Sequence, residues 1–224
     1  MTDTIITVQG EYEVRHAAER GRVRLQIGYD GEDREKVLAL TTERHSSLTA
    51  ALSDQCSAPN GAVIAWSSDQ VRVWGERPWT PEGRQLTPVH RAQVGVEATF
   101  ADLSALSEWV GTVSLLDGVT VDGVDWSLTE ARRQSLTQEA RRRAVENAVA
   151  KATVYATSLG LAAVRPLALS DPGMLGDGPQ AGRDDGPHGF AARTMAAGQG
   201  GATLALKPEE IAIAVQVHAR FAAS

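Results

Sequence analysis

The chain opens in strict alternation. Ile6, Val8, Tyr12 and Val14 fall on one face with Gly10 among them, and Thr7, Gln9, Glu11 and Glu13 fall on the other. A period of two predicts a half-buried strand. Val23, Leu25, Ile27 and Tyr29 repeat the pattern against Arg22, Arg24 and Gln26, and Asp30-Gly31 closes it with a turn signal. The spacing then changes to threes and fours. Leu38, Thr41, His45, Leu48 and Leu52 predict a helix over 33–55, stopped by the segment from Ser57 to Gly61. Val63 to Trp66 and Val71 to Trp74 are two short strands, and Ser67 to Gln70 between them predicts a hairpin. Arg77 to Thr87 is a Pro/Gly-rich loop. Ala92, Val94, Val96, Ala98 and Phe100 then alternate cleanly. Asp102 stands as an N-cap before a helical stripe of Leu103, Leu106, Val110 and Val113. A strand follows over 119–126, where Asp122-Gly123 suits a bulge.

The longest helical signal runs from Leu128 to Leu159 without Gly or Pro. Its inward stripe is expected to be Leu136, Ala140, Ala144, Ala148, Ala152, Tyr155 and Leu159, with Gly160 as C-cap. Val164 to Leu169 reads as a strand. Asp171 to Thr203 holds 9 of the 21 glycines, which predicts a long mobile loop cut first by proteases after Arg183 or Arg193. Ile211, Ile213, Val215, Val217, Ala219 and Phe221 alternate in a final strand. Helices interrupt antiparallel-looking strands without a βαβ rhythm. The expected class is α+β: a mostly antiparallel sheet with two amphipathic helices and one long helix in the C-terminal half packed on it.

Composition narrows the function classes. With 224 residues, 42% hydrophobic and 22% charged, the chain has a globular composition and enough length for a sizeable core. The last strand needs partners from earlier in the chain, so residues 1–224 are expected to form a single domain. A net charge of −6 argues against a general nucleic-acid binder, which must displace counterions with many cations. No apolar run reaches the ~20 residues that cross a bilayer. Met1 to Gly10 has no basic and apolar leader pattern, so the expected compartment is the cytoplasm.

Candidate chemistry is sparse. His16, His45, His90, His188 and His218 make no His-x-x-x-His pair, and His90 and His218 are expected on outward strand faces. His45 sits in an apolar stripe and reads as a hydrogen-bonded structural histidine. Cys56 follows a helix end, where the dipole does not activate a thiol, and reads as a small packing residue. No Gly-x-Ser-x-Gly elbow, P-loop or dinucleotide fingerprint is present. No catalytic, metal or cofactor residue is therefore assigned, and no cofactor is expected. Arg141, Arg142 and Arg143 form the strongest basic run, read as a solvated face paired with glutamates such as Glu139. Trp66, Trp74 and Trp79 crowd into the predicted hairpin and its loop beside Arg77. Tryptophan is enriched in binding hot spots and is equally a large core residue; with Arg77 beside them on the surface, these four residues are the candidate interaction surface.

Three stretches carry a resemblance. They are Ile6-Thr7-Val8-Gln9-Gly10, the strand and helix from Ala92 to Leu116 with the strand that follows, and the long helix from Ala131 to Leu161 with its four-residue alanine spacing and terminal Leu-Gly. In their order they resemble the SIMPL-domain family, a bacterial family of poorly defined function. The resemblance covers most of the chain and is strongest from Arg91 onward. It implies an α+β fold and often a homo-oligomeric assembly, with no established reaction; related proteins are often exported. The expected function is thus a non-enzymatic module that self-assembles or binds an unknown protein partner. The alternative is a small-molecule-binding protein or an enzyme with a cleft near the Trp-rich hairpin.

Overall fold

The computed structural model describes residues 3–77, 79, 87–175 and 206–224. Along the chain these form β1 (Thr4–Ala17), β2 (Arg20–Gly31), α1 (Arg34–Ser57), β3 (Val63–Ser68), β4 (Arg72–Glu76), β5 (Val89–Phe100), α2 (Leu103–Val113), β6 (Val119–Ser127), α3 (Glu130–Ser158), β7 (Val164–Ser170) and β8 (Glu210–Ala223). The class is α+β, with two antiparallel sheets. The chain divides into two compact units.

The first unit takes the described residues within 17–129 and 206–211. Its sheet has the order β3-β5-β2-β6, with β4 also on β5. Alternation decides which face is dry. Ala92, Val94, Val96, Ala98 and Phe100 of β5 are at most 1% exposed, and Val23, Leu25 and Ile27 of β2 lie beside them. Leu48 and Leu52 of α1 and Leu106, Val110 and Val113 of α2 close the same core. Both helices start on aspartate caps. Asp33 Oδ1 accepts from the Glu35 and Lys36 amides at 3.0 and 3.2 Å, and Asp102 Oδ1 accepts from the Ser104 and Ala105 amides at 2.8 and 3.1 Å. The Lys36 amide bond first, and then that of Glu35, holds the Asp33 carboxyl below its ordinary value.

Two sequence expectations change here. In α1 the buried position is Val37, not Leu38, which is 37% exposed. Val37 stands four residues before Thr41 and nearly in line with it, whereas Leu38 is three residues before and turned away. Thr41 satisfies its own buried hydroxyl by donating to the Val37 carbonyl at 2.9 Å.

The predicted hairpin does not form. β3 and β4 both run antiparallel to β5, one after the other, as two halves of an interrupted edge strand. Between them the Asp69 amide donates to the Gly95 carbonyl at 2.9 Å, so the chain stays on the same neighbour through the break.

The second unit takes the described residues within 3–16, 130–175 and 212–224. Its sheet has the order β1-β8-β7, with α3 on one face. Ile6 and Val8 of β1 and Val217, Ala219, Phe221 and Ala223 of β8 form the apolar floor. Above them Ala140, Ala144, Ala148, Ala152 and Ala156 are 0–1% exposed. Small side chains let the helix backbone settle onto β1 at Gly10, where any Cβ would run into the Ala144 carbonyl and the Ala148 backbone.

The alanine stripe ends in Ala156 rather than in Tyr155 and Leu159, which are 53% and 64% exposed. The row of every fourth residue inclines about 26° to the helix axis, and a twisted sheet follows that row. Tyr155 and Leu159 leave the row by one position. At the end of β7, Asp171 to Met174 make a turn with Gly173 at φ +82°, and the Gly173 amide donates to His218 Nδ1 at 3.5 Å. The rest of the Gly-rich segment, with Arg183, His188 and Arg193, lies outside the described residues.

Candidate functional site

The four residues of the sequence-derived surface do not come together as one face. Trp66 pairs with Ala98 and packs, half-buried, against the core on the helix side of its sheet. Trp74 pairs with Arg91 on the opposite side, at 36% exposure. Arg77 is exposed just beyond β4, and Trp79 is 65% exposed. The cause is the break in the edge strand. From Trp66 to Trp74 the chain advances eight residues, while β5 advances seven, from Ala98 to Arg91. One extra residue on one side of a ladder sends every later side chain to the other face.

The open face of this sheet is a lattice of charges across strands. Arg24 reaches Asp125 at 3.3 Å, Arg91 reaches Glu76 at 3.7 Å and Arg22 reaches Glu97 at 4.0 Å. An antiparallel sheet with one dry face and one wet face requires such a surface. These pairs are solvated, and each adds little stability.

The histidines also differ from expectation. His90 lies on the helix side, paired with Gly31 on β2 and Gly75 on β4. A Cβ at Gly75 would stand 3.0 Å from His90 Nδ1, so the missing side chain leaves room for the ring. The parity of β5 puts position 90 on the same face as Ala92, a signal already present in the sequence. His90 Nδ1 and His45 Nε2 are both buried without a hydrogen-bond partner among the described residues, so that nitrogen of His45 lacks the bond expected of it. Cys56 is an exposed free thiol in the last turn of α1, not a packing residue. Among the described residues no group of three or more His, Cys, Asp or Glu side chains is placed to hold a metal.

On α3 the arginine run resolves into a four-membered ion network. Arg142 meets Glu146 and Glu139, both at 2.6 Å; Arg143 meets the same two glutamates at 3.2 and 3.0 Å. The hydrogen bonds from Arg142, and then from Arg143, hold the Glu139 carboxyl below its ordinary value. All four side chains remain substantially exposed, so solvent screens the network. Arg142→Gln is therefore expected to leave the urea midpoint at pH 7 almost unchanged. Any small difference belongs to pH values above the ordinary carboxylate range and fades as pH falls through the lowered value of Glu139. Urea titrations of both proteins at neutral and acidic pH check this, and a large neutral-pH loss would contradict it.

The surface that sequence reasoning missed lies in the α3 unit. β7 is an edge strand, and its Leu167 and Leu169 are 44% and 56% exposed. On α3, Val154 joins Tyr155 and Leu159 in facing solvent, at 61% exposure. The signal was available in part. Val164 to Leu169 has three large apolar residues in six positions, more than one buried face of a short edge strand can use. An apolar edge presents unpaired backbone groups together with sticky side chains, the arrangement from which strand-to-strand association starts.

No helix among the described residues is long and apolar enough to cross a membrane. Compared with known families, residues 6–221 match the model described as SIMPL, protein of unknown function (DUF541). No curated protein matches the chain.

Proposed function

The chain belongs to the SIMPL family, and from that premise we propose that it is a self-assembling or protein-interaction module without an enzymatic reaction of its own. The observation that carries this reading is β7, an edge strand whose two leucines lie in water. Exposed apolar area of this kind gains free energy when covered, at about 25 cal/mol per Å². An added strand would also take up backbone donors and acceptors along the edge on the Leu167–Ser170 side of Pro166, which itself has no N–H to give. The lattice of charges on the other unit's open sheet face offers no comparable gain.

Light scattering on the full chain tests the proposal. The expected mass is a multiple of 23.8 kDa at micromolar concentration. Leu167→Lys with Leu169→Lys should return the mass to one chain while leaving the thermal midpoint close to wild type, because both side chains are already exposed. A wild-type protein that stays monomeric throughout would refute self-assembly. A double variant with unchanged oligomeric mass would move the interface away from β7.

A further inference from the structure

In the unit that carries them, α1 and α2 each pack on β2 and β5. A groove of about 270 Å³ runs between the helices. Its walls are apolar along most of their length, with Leu48 and Ala51 from α1, Trp109 and Val113 from α2, and Leu116 just beyond. Trp109 is fixed from below, tilted against Phe100 with ring centroids 5.3 Å apart.

Among the groove's lining residues, Arg44 alone carries a charge. Its Nε–H points to the Tyr29 hydroxyl oxygen at 3.4 Å, and that hydroxyl donates to the Asp117 carbonyl at 2.8 Å. Arg44 is half-buried and makes no ion pair among the described residues. Its terminal nitrogens carry four more N–H donors in a fork that matches a carboxylate.

The geometry points to a binding site for a small amphipathic anion, an apolar chain or ring bearing one carboxylate, with the carboxylate on Arg44 and the apolar part between Leu48, Trp109, Val113 and Leu116. Small-molecule sites share this makeup: a mostly apolar cleft and a few polar groups that fix orientation. The charge match favours this occupant over a neutral one, because a neutral ligand would cover Arg44 without meeting its donors. The site does not depend on the assembly reading, since all of its residues lie in the other unit.

Isothermal titration of the full chain with octanoate, and separately with 1-octanol, tests the site. Octanoate should bind saturably, with a Kd at or below about 1 mM for so small a ligand. It should move the indole N–H resonance of Trp109 in an ¹H–¹⁵N spectrum. Arg44→Gln should weaken octanoate about tenfold, the scale of a hydrogen bond to a charged group, and leave octanol unchanged. Ala51→Trp, on the exposed rim of α1, should block both ligands while keeping the fold. The proposal is overturned if octanoate fails to saturate in the millimolar range, if Arg44→Gln binds it as wild type does, or if the moving resonances lie away from Trp109.

Discussion

Gly10→Ala is expected to destabilise the chain by about 3 kcal/mol, the upper end of the cost of overpacking a dense core. The new Cβ would stand on the carbonyl oxygen of Ala144, 2.7 Å from the Ala148 Cβ and 2.8 Å from the Ala148 nitrogen. The obstacle is mainly helix backbone, which has no rotamer to change. Relief requires α3 to lift away from β1, and that separates Ile6 and Val8 from the alanines above them. Ala148→Leu approaches the same contact from the helix side and should cost about 1–3 kcal/mol. Urea unfolding followed by circular dichroism measures both. A Gly10→Ala midpoint equal to wild type would mean that α3 is not seated on β1.

Phe100→Ala is expected to cost about 3–5 kcal/mol, the range for truncating a buried phenylalanine. Phe100 is fully buried at the end of β5, cross-strand from Gly21 on β2 and Val63 on β3, and beneath Trp109 of α2. Truncation removes the ring from a position where two strands and a helix meet, and close packing leaves no neighbour free to fill the space. Phe100→Leu keeps much of the volume and should cost clearly less. Thermal and urea unfolding of the two variants give the comparison. An alanine variant within about 0.5 kcal/mol of wild type, the range of a neutral surface change, would show that the ring is not part of the core.

Much of this fold was legible because both periods are written plainly. The β5 alternation located a dry face to the residue, and the alanines at every fourth position marked the face of α3 that touches the sheet. Partner choice was less legible. Alternation says which side of a strand is buried and nothing about which strand lies beside it. Two short strands with a polar link therefore read as a hairpin, although both halves pair with β5. The same limit affected the candidate surface. Trp66 and Trp74 are an even number of residues apart and would share a face on an unbroken strand. The extra residue between the halves is visible only against the register of β5. On α3, Tyr155 and Leu159 were placed inward by their hydrophobicity, yet the helix had already met its neighbour through Ala152 and Ala156. The groove beside Arg44 gave no local sign, because the residues of its two walls lie more than fifty positions apart in the chain.

The strand order β1-β8-β7 also bears on the sequence of events during synthesis. β8 is the middle strand, so β1 and β7 have no neighbour in this sheet until it arrives. It spans Glu210–Ala223, about two hundred residues after its partner β1, which starts at Thr4. Closing so wide a loop is entropically costly before any contact rewards it. As the nascent chain leaves the ribosome, the sheet that covers the alanine face of α3 is therefore incomplete until β8 has been made. A ribosome that stalls before β8 leaves a chain in which this sheet cannot exist.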